Sequence, residues 1–240
     1  MKRHLLFVSI AAIAGLALAA CGGGGSDGGG TSQTAPAMNP ADFQSRVDNP
    51  LFPLSSLGPK AFEGEEPDPD TSEMLKTRLE STVLPDTDTV AGVEVLVLEE
   101  KDYENGELVE STLDYFAQHK DGSVWYFGER VDEYEHGQVV GHEGQWLAGE
   151  GDNQPGVYMP AEPKVGDEFA QEQAPGVAED QSKVVATDQT VTVPAGTFSG
   201  CLKTEDFSPL DGATEHKYYC PGVGLVREEP PEGFLDLITG

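Results

Sequence analysis

Three dipeptides typical of tight turns divide the middle of the chain at regular intervals, and this spacing constrains the fold more than any other feature. Asn105-Gly106 and Asp121-Gly122 are typical of two-residue type I′ hairpin turns, and His136-Gly137 is a weaker example. The turns lie 16 and 15 residues apart, which leaves room for strands of 14 and 13 residues. Strands of that length extend for about 45 Å, and ordinary strands have roughly 3 to 10 residues. We therefore expect a strongly twisted antiparallel sheet, coiled into an open barrel or half barrel.

Alternating sequences on both sides of this meander predict further strands. Residues 74–84 alternate leucine, threonine and valine with charged side chains, and similar stretches run from residue 181 to the end of the chain. The fold class is therefore mostly β, a single antiparallel sheet of about nine or ten strands. The segment from Gly149 to Gly166 carries three prolines and several glycines. We predict it to be a long loop without strands, and such loops are often functional.

The turns also predict which aromatic side chains share a face. With two-residue turns at Asn105-Gly106 and Asp121-Gly122, Leu96 lies opposite Tyr115, and Ala117 opposite Tyr126. Both faces of the sheet are then apolar near the second turn, so one face could line a ligand cavity. Simple burial by the rest of the chain is the more common explanation of the same pattern. The candidates for the cavity wall are Tyr115, Phe116, Trp125, Tyr126 and Phe127.

The N-terminus predicts export and lipid anchoring. Lys2 and Arg3 precede an apolar run to Ala20, which is typical of a secretory signal peptide. The junction ending at Cys21 resembles the bacterial lipobox, which implies cleavage before Cys21 and acylation of its thiol with lipid such as palmitate. Three segments follow: a signal peptide at 1–20, the lipidated Cys21 with a Gly/Ser-rich flexible tether at 21–45, and a β-domain at 46–240. We expect the protein to be located in the cell envelope, facing the periplasm or the exterior. If the cell has an outer membrane, we expect the anchor to lie in that membrane.

Two cysteines remain once Cys21 is acylated. A four-residue loop from Pro209 to Gly212 would place Cys201 directly opposite Cys220 on facing strands. Disulfides persist outside the cytoplasm, so we predict a disulfide between them. A redox pair is more usually spaced Cys-x-x-Cys, and a zinc site needs more ligands than the single nearby histidine, His216.

The charge of the chain excludes whole classes of partner. Removal of the signal leaves 12 basic residues against 43 acidic ones, a formal net charge of −31. Such a surface repels nucleic acid and anionic lipid, so membrane contact is expected through the anchor alone. No cofactor motif is present. Weak calcium candidates are the acid-rich stretches with Asp68 and Asp70 and with Glu150 and Asp152, but neither has calcium-loop spacing, and no metal site is predicted.

Two stretches carry a resemblance. Residues 117–129, AQHKDGSVWYFGE, are similar to a family of uncharacterised secreted or lipid-anchored bacterial proteins. The later VPAGTF and KYYCPGVGLV motifs resemble the end of TapB-like envelope proteins. Long curved strands are shared with half-barrel lipoprotein carriers of the LolA/LppX type, by architecture alone. The resemblance implies no reaction and therefore no catalytic residues.

The function expected from these sequence features is non-enzymatic. The leading hypothesis is an envelope lipoprotein that binds an apolar or amphipathic ligand, such as a lipid, in its curved sheet. One alternative is a structural or protein-interaction module of the envelope, with a partner that the sequence does not identify. The other is a hydrolase that uses carboxylates near the 149–166 loop.

Overall fold

The computed structural model describes residues 38–68 and 71–240. The predicted signal peptide, Cys21, residues 21–37 of the tether and Asp70 lie outside these ranges. The described chain is almost entirely strand, with two short 3-10 turns at Pro40–Asp42 and Leu54–Ser56. The strands are β1 Phe43–Gln44, β2 Lys60–Pro67, β3 Met74–Val83, β4 Asp88–Val90, β5 Val93–Glu104, β6 Glu107–His119, β7 Val124–Glu135, β8 Gln138–Gly141, β9 Trp146–Leu147, β10 Gln154–Met159, β11 Glu168–Ala170, β12 Glu172–Gln173, β13 Gln181–Val193, β14 Gly196–Phe207, β15 Thr214–Cys220, β16 Gly224–Glu229 and β17 Phe234–Thr239.

The strands form one antiparallel sheet that curls into a nearly closed barrel. Its order runs from β13 through β14, β15, β16 and β17 to β2, β3, β5, β6, β7 and β10. The segment Glu168–Gln173 spans the remaining gap, because β11 pairs with β13 and β12 pairs with β10. Because β10 and β13 do not pair directly with each other, one seam of the barrel stays unsealed at this segment. The predicted fold class is confirmed, although short strands raise the count above the nine or ten that we expected.

The central meander has the long strands that its turns predicted, of 12, 13 and 12 residues. Asn105-Gly106 is a two-residue turn with positive φ at both residues. A bulge beside Tyr103 then shifts the register by one residue, so Leu96 lies opposite Phe116 and not Tyr115. The predicted faces of Tyr115 and Phe116 are therefore exchanged.

The second turn differs from the prediction in the same way. Ala117 lies opposite Trp125, not Tyr126, because the loop after β6 is longer than the two residues Asp121-Gly122. The N–H of His119 donates to the carbonyl oxygen of Ser123, so these two residues close the hairpin. Three residues, Lys120 to Gly122, are left in the loop. The weaker signal at His136-Gly137 is a true two-residue turn, with both residues at positive φ.

The predicted loop from Gly149 to Gly166 contains a strand, β10, and this prediction was wrong. Pro155 hid the strand signal, since proline is tolerated in strands chiefly at edges and bulges. β10 pairs with β7 on one side and, through only two residue pairs, with β12 at the seam. Gly156 is needed there, because a Cβ atom would lie 2.1 Å from the carbonyl oxygen of Gln171.

The chain before β2 covers one end of the barrel. The Phe52 ring packs against Phe116 and Tyr158 inside the sheet, with ring centroids 5.3 and 4.8 Å away. Gln118 anchors this segment, since its side-chain oxygen accepts hydrogen bonds from the N–H groups of Asp48 and Asn49. The segment 47–57, called the plug below, therefore closes this end of the interior.

The Cys201–Cys220 disulfide is present between β14 and β15, with the two Cα atoms 4.2 Å apart. The predicted hairpin loop is confirmed, because the N–H of Ser208 donates to the carbonyl oxygen of Ala213. Among the described residues there is no helix with the length and hydropathy needed to cross a membrane.

Candidate binding cavity

A cavity of about 80 Å³ lies inside the barrel, between the plug and strands β2, β3, β5, β6, β7, β10, β15, β16 and β17. The cavity has two kinds of wall. The wall nearer the plug is apolar, and the wall farther from the plug is acidic. The apolar wall is formed by Phe52, Leu54, Leu57, Phe62, Leu79, Val83, Leu98 and Phe116. The acidic wall is formed by Glu66, Glu100, Asp102, Asp114, Glu129 and Glu228, with Lys60 and Lys217 among them.

Strand alternation brings the first acids to the interior. Along β5, Glu100 follows Leu98 on the inward face, and along β6, Asp114 precedes Phe116 on the same face. The register sets Leu98 opposite Asp114, and Glu100 opposite Thr112. The inward face of this hairpin therefore changes from apolar near the plug to carboxylate farther along.

A bulge in β7 turns Glu129 inward as well. Asp114 lies opposite Glu129 and Phe116 opposite Tyr126, so two residues of β7, Phe127 and Gly128, share a single partner position. Gly128 has φ +106, and a Cβ there would lie 2.2 Å from the carbonyl oxygen of Trp146. Only glycine fits, and without this extra residue Glu129 would point to the opposite face.

Hydrogen bonds hold Asp114 in place. Its Oδ1 accepts a hydrogen bond from the Tyr126 hydroxyl at 2.6 Å, and its Oδ2 accepts one from the Thr112 hydroxyl at 2.7 Å. Burial raises the pKa of Asp114 to about 6, although both hydrogen bonds favour the ionised form. Burial therefore makes Asp114 a weaker acid than usual, while the two hydrogen bonds fix the orientation of its carboxyl group.

The two neighbouring glutamates are also weak acids. Burial and the nearby Asp114 raise the pKa of Glu100 to about 7. Burial, followed by Asp114 and Glu172, raises the pKa of Glu129 well above its ordinary value. Oε1 of Glu129 is buried and accepts no hydrogen bond from any described residue.

Two lysines share the interior. Burial disfavours the charged form of Lys217, but Glu215 and Glu228 outweigh that effect and hold its pKa well above the ordinary value. The Lys217 Nζ atom lies 3.0 Å from Glu215, 3.7 Å from Asp206 and 3.8 Å from Glu228. Lys60 donates instead to the carbonyl oxygens of Val223 and Leu225, and burial lowers its pKa to about 8.

The structure brings one of the five predicted aromatic residues, Phe116, to the cavity wall. Tyr126 is fully buried behind it and contributes its hydroxyl to Asp114. Trp125 and Phe127 lie on the other face, where Phe43 packs edge-on against both rings. Tyr115 shares that outer face, because it lies between the inward Asp114 and Phe116.

The acidic wall was missed by sequence reasoning. Its signal was present, since Glu100 and Asp114 sit at inward positions of alternating strands once the bulge beside Tyr103 is known. Gly128 in mid-strand was the second signal, because a glycine inside a strand often marks a bulge. Neither Glu100 nor Glu129 can be distinguished from the other acids of the chain by composition.

The weak calcium candidates are not brought together. Asp68 accepts the N–H of Thr71 at 2.9 Å, which closes the turn before β3. Glu150 and Asp152 are exposed in the turn before β10, and neither lines the cavity. Over residues 38–68 and 71–240, no group of three or more His, Cys, Asp or Glu side chains is arranged to hold a metal ion.

Comparisons with known proteins give one structural likeness. No family model matches the chain, and no curated protein matches it. A solved structure of a candidate lipoprotein from Parabacteroides distasonis is similar at 13% identity and a TM-score of 0.39. That alignment covers 78% of this chain and 96% of the other. The family suggested by the 117–129 and C-terminal motifs stays a prediction.

Proposed function

We propose that this protein is a lipid-anchored envelope protein that binds a small amphipathic ligand inside its barrel without transforming it. The observation that carries the proposal is the cavity, which joins an apolar wall to a wall of carboxyl groups. Ligand sites in proteins are typically apolar with a few polar groups that fix orientation. This arrangement favours a ligand with one apolar and one polar end.

The size of the cavity narrows the ligand further. About 80 Å³ exceeds the roughly 10–15 Å³ that one water molecule needs. The same volume is far too small for the acyl chains of a membrane lipid. We therefore favour a small amphipathic molecule over the lipid cargo of a carrier protein.

The anchor is the second half of the proposal. It rests on the lipobox resemblance at Cys21, which lies outside the described residues. A Cys21→Ser variant of the full chain should lose labelling by radioactive palmitate in growing cells. Labelling that persists in this variant would refute Cys21 as the acylation site.

Ligand binding is tested by native mass spectrometry of residues 21–240, exported behind an ordinary secretory signal with Cys21→Ser and purified without detergent. We expect a defined mass excess that organic solvent extracts. Leu57→Trp, which places a larger ring at the plug edge of the cavity, should abolish the excess. Val139→Trp is the matched control, because Val139 is exposed on β8 and should leave the excess unchanged. An unligated mass for every preparation, with no gain after incubation with envelope extract, would contradict the proposal.

A protein-interaction module is the second candidate, and one observation favours it. Val139 and Val140 are 46% and 56% exposed on β8, a short strand that extends the β7 hairpin. Exposed apolar side chains on such a strand can mark a contact surface. Sedimentation velocity tests self-association, which a Val139→Lys, Val140→Lys double variant should abolish if this strand is the contact. The hydrolase hypothesis has no comparable support, because the carboxylates of the 149–166 segment do not line the cavity.

A further inference from the structure

We infer that the polar end of the ligand is a protonated amine, held between the carboxyl groups of Glu129, Asp114 and Glu100. This inference rests on the proposed function and names the chemistry of its ligand. It follows from where the three acids lie, from an unpartnered carboxyl oxygen and from the lack of an ion pair to Glu129 or Asp114 among the described residues.

The three acids occupy neighbouring positions on three adjacent strands. Asp114 of β6 lies directly opposite Glu129 of β7. Glu100 of β5 lies opposite Thr112, whose hydroxyl donates to Asp114. Like charges placed directly opposite each other in a sheet destabilise it. An arrangement of this kind calls for a positive group to lie between the carboxylates.

Glu129 is the acid that most clearly lacks a partner. It is 1% exposed, it is one of the residues that line the cavity, and Oε1 accepts no hydrogen bond from the described residues. A buried acceptor without a donor costs roughly 1–3 kcal/mol. An ammonium group supplies three donors together with the missing charge.

The lysines of the interior do not fill this role. Lys217 is already surrounded by Glu215, Glu228 and Asp206, and no ion pair joins it to Glu129 or Asp114. The Lys60 Nζ atom donates to two backbone carbonyls. The charges of Lys217 and Lys60 act on Glu100, which also accepts a hydrogen bond from Ser81, so Glu129 and Asp114 are the acids left without a cation. Glu129 and Asp114 therefore face a cavity in which a ligand can provide the neutralising charge.

The acidic wall also selects against other ligands. An anionic head would meet Glu129, Asp114 and Glu100 at close range, with further acids at Glu110 and Glu172. A metal ion is disfavoured, because the described acids form no group with the arrangement of a metal site. An amine on a short apolar chain fits both walls, since its chain can lie against Phe116, Leu98 and the plug.

Binding of such a cation must displace protons. Glu129 faces Asp114, Glu172, Glu110 and Glu100, and in the empty cavity their mutual repulsion and burial favour the protonated forms. An ammonium ion binds the ionised forms and so releases protons on binding. The affinity should consequently rise with pH from 5 to about 8, while a simple alkylamine stays protonated throughout.

The test uses isothermal titration calorimetry on residues 21–240 with Cys21→Ser, after any co-purified ligand has been removed by dialysis. The probes are n-butylammonium, n-butanol and butyrate, which share a chain and differ in the charge of the head. We expect n-butylammonium to bind most tightly, with proton release detected as a dependence of the heat on the ionisation enthalpy of the buffer.

Variants separate a specific contact from the general acidic field. Glu129→Gln should weaken n-butylammonium by about tenfold or more, because one charged acceptor is lost. Glu172→Gln is the control, since Glu172 is equally buried but does not line the cavity, and it should change the affinity less than about threefold. Circular dichroism checks that both variants fold.

The outcomes distinguish this inference from the proposed function. Equal binding of all three probes would confirm a binding cavity and overturn the amine. Tighter binding of butyrate would do the same. No binding by n-butylammonium at pH 8 would overturn the amine, while a mass excess in native mass spectrometry would still support a ligand of other chemistry. Equal losses in Glu129→Gln and Glu172→Gln would overturn the assignment of Glu129.

Discussion

The hydroxyl of Tyr126 on β7 donates a hydrogen bond to Oδ1 of Asp114 on β6, across 2.6 Å of fully buried interior. Asp114 is the acid that neighbours both Glu100 and Glu129 in the cavity wall. This bond therefore links a fully buried aromatic residue of the meander to the centre of the proposed binding site.

Tyr126→Phe should destabilise the protein and weaken the acidity of Asp114. The variant loses a hydrogen bond to a charged group, which contributes roughly 1.5–3 kcal/mol. We expect urea unfolding at pH 8 to show a loss of this size and the pKa of Asp114, measured by carboxyl NMR, to rise above about 6. Tyr134→Phe on the same strand is the control and should change stability by less than about 0.5 kcal/mol. An unchanged Asp114 pKa would show that this hydrogen bond does not tune the site.

The stability of the empty protein should fall as pH rises from 5 to 7.5. Burial raises the pKa of Asp114 to about 6, of Glu100 and Glu215 to about 7 and of Glu66 to about 8. Each carboxyl binds its proton more tightly in the folded chain than in the unfolded chain, so the folded chain holds more protons over this range. The free energy of unfolding then decreases with pH, by about 1.4 kcal/mol for each pKa unit of displacement that is titrated.

The two buried lysines do not reverse this fall in the free energy of unfolding between pH 5 and 7.5. Lys217 is protonated in both states, and Lys60, with a folded pKa of about 8, begins to matter only above it. Urea titrations at pH 5, 6, 7 and 7.5 measure the slope, and Glu100→Gln should make it shallower. A free energy of unfolding that does not fall over this pH range would show that the acids are solvated and not enclosed.

The Cys201–Cys220 disulfide should contribute about 3 kcal/mol to stability. It closes a loop with a sequence separation of 19 residues, which limits the entropy of the unfolded chain. Urea unfolding with and without a reductant measures this contribution. The Cys201→Ala, Cys220→Ala double variant should match the reduced protein and be insensitive to reductant. Free thiols detected by alkylation of the envelope-purified protein would contradict the disulfide.

Gly128→Ala should damage both the fold and the site. Its φ of +106 is strained for alanine, and the new Cβ would lie 2.2 Å from the carbonyl oxygen of Trp146. We expect a loss of about 2 kcal/mol or more in urea unfolding and weaker n-butylammonium binding, because the bulge directs Glu129 inward. Gly58→Ala is the matched control for stability, since its Cβ meets nothing within 4 Å. Equal stability of the two variants would show that the bulge is not constrained by Gly128.

The sequence predicted the parts of the fold that depend on local signals. The Asn105-Gly106 and His136-Gly137 turns and the hairpin that joins Cys201 to Cys220 could be found because each requires a recognisable residue type at a fixed spacing. The register beyond those turns could not be found, because the bulge beside Tyr103 carries no comparable signal. One residue of shift was enough to exchange the faces of Tyr115 and Phe116.

The candidate site was harder to predict from the sequence than the fold, for the same reason. Aromatic residues such as Trp125 and Phe127 attracted attention as a cavity wall, yet Phe43 from a distant segment covers them. The charged wall was hidden because Glu100 and Glu129 resemble the many solvated acids of the chain until strand pairing brings them together. Long-range pairing, not composition, decides which acids are enclosed.

The most direct test of the enclosed acidic wall is a carboxyl NMR titration of Glu129, in the empty protein and with n-butylammonium. We predict that the pKa of Glu129 lies well above its ordinary value in the ligand-free protein and falls markedly when the amine is bound. A Glu129 that titrates at its ordinary value and does not respond to the amine would contradict both the enclosed wall and its role in binding.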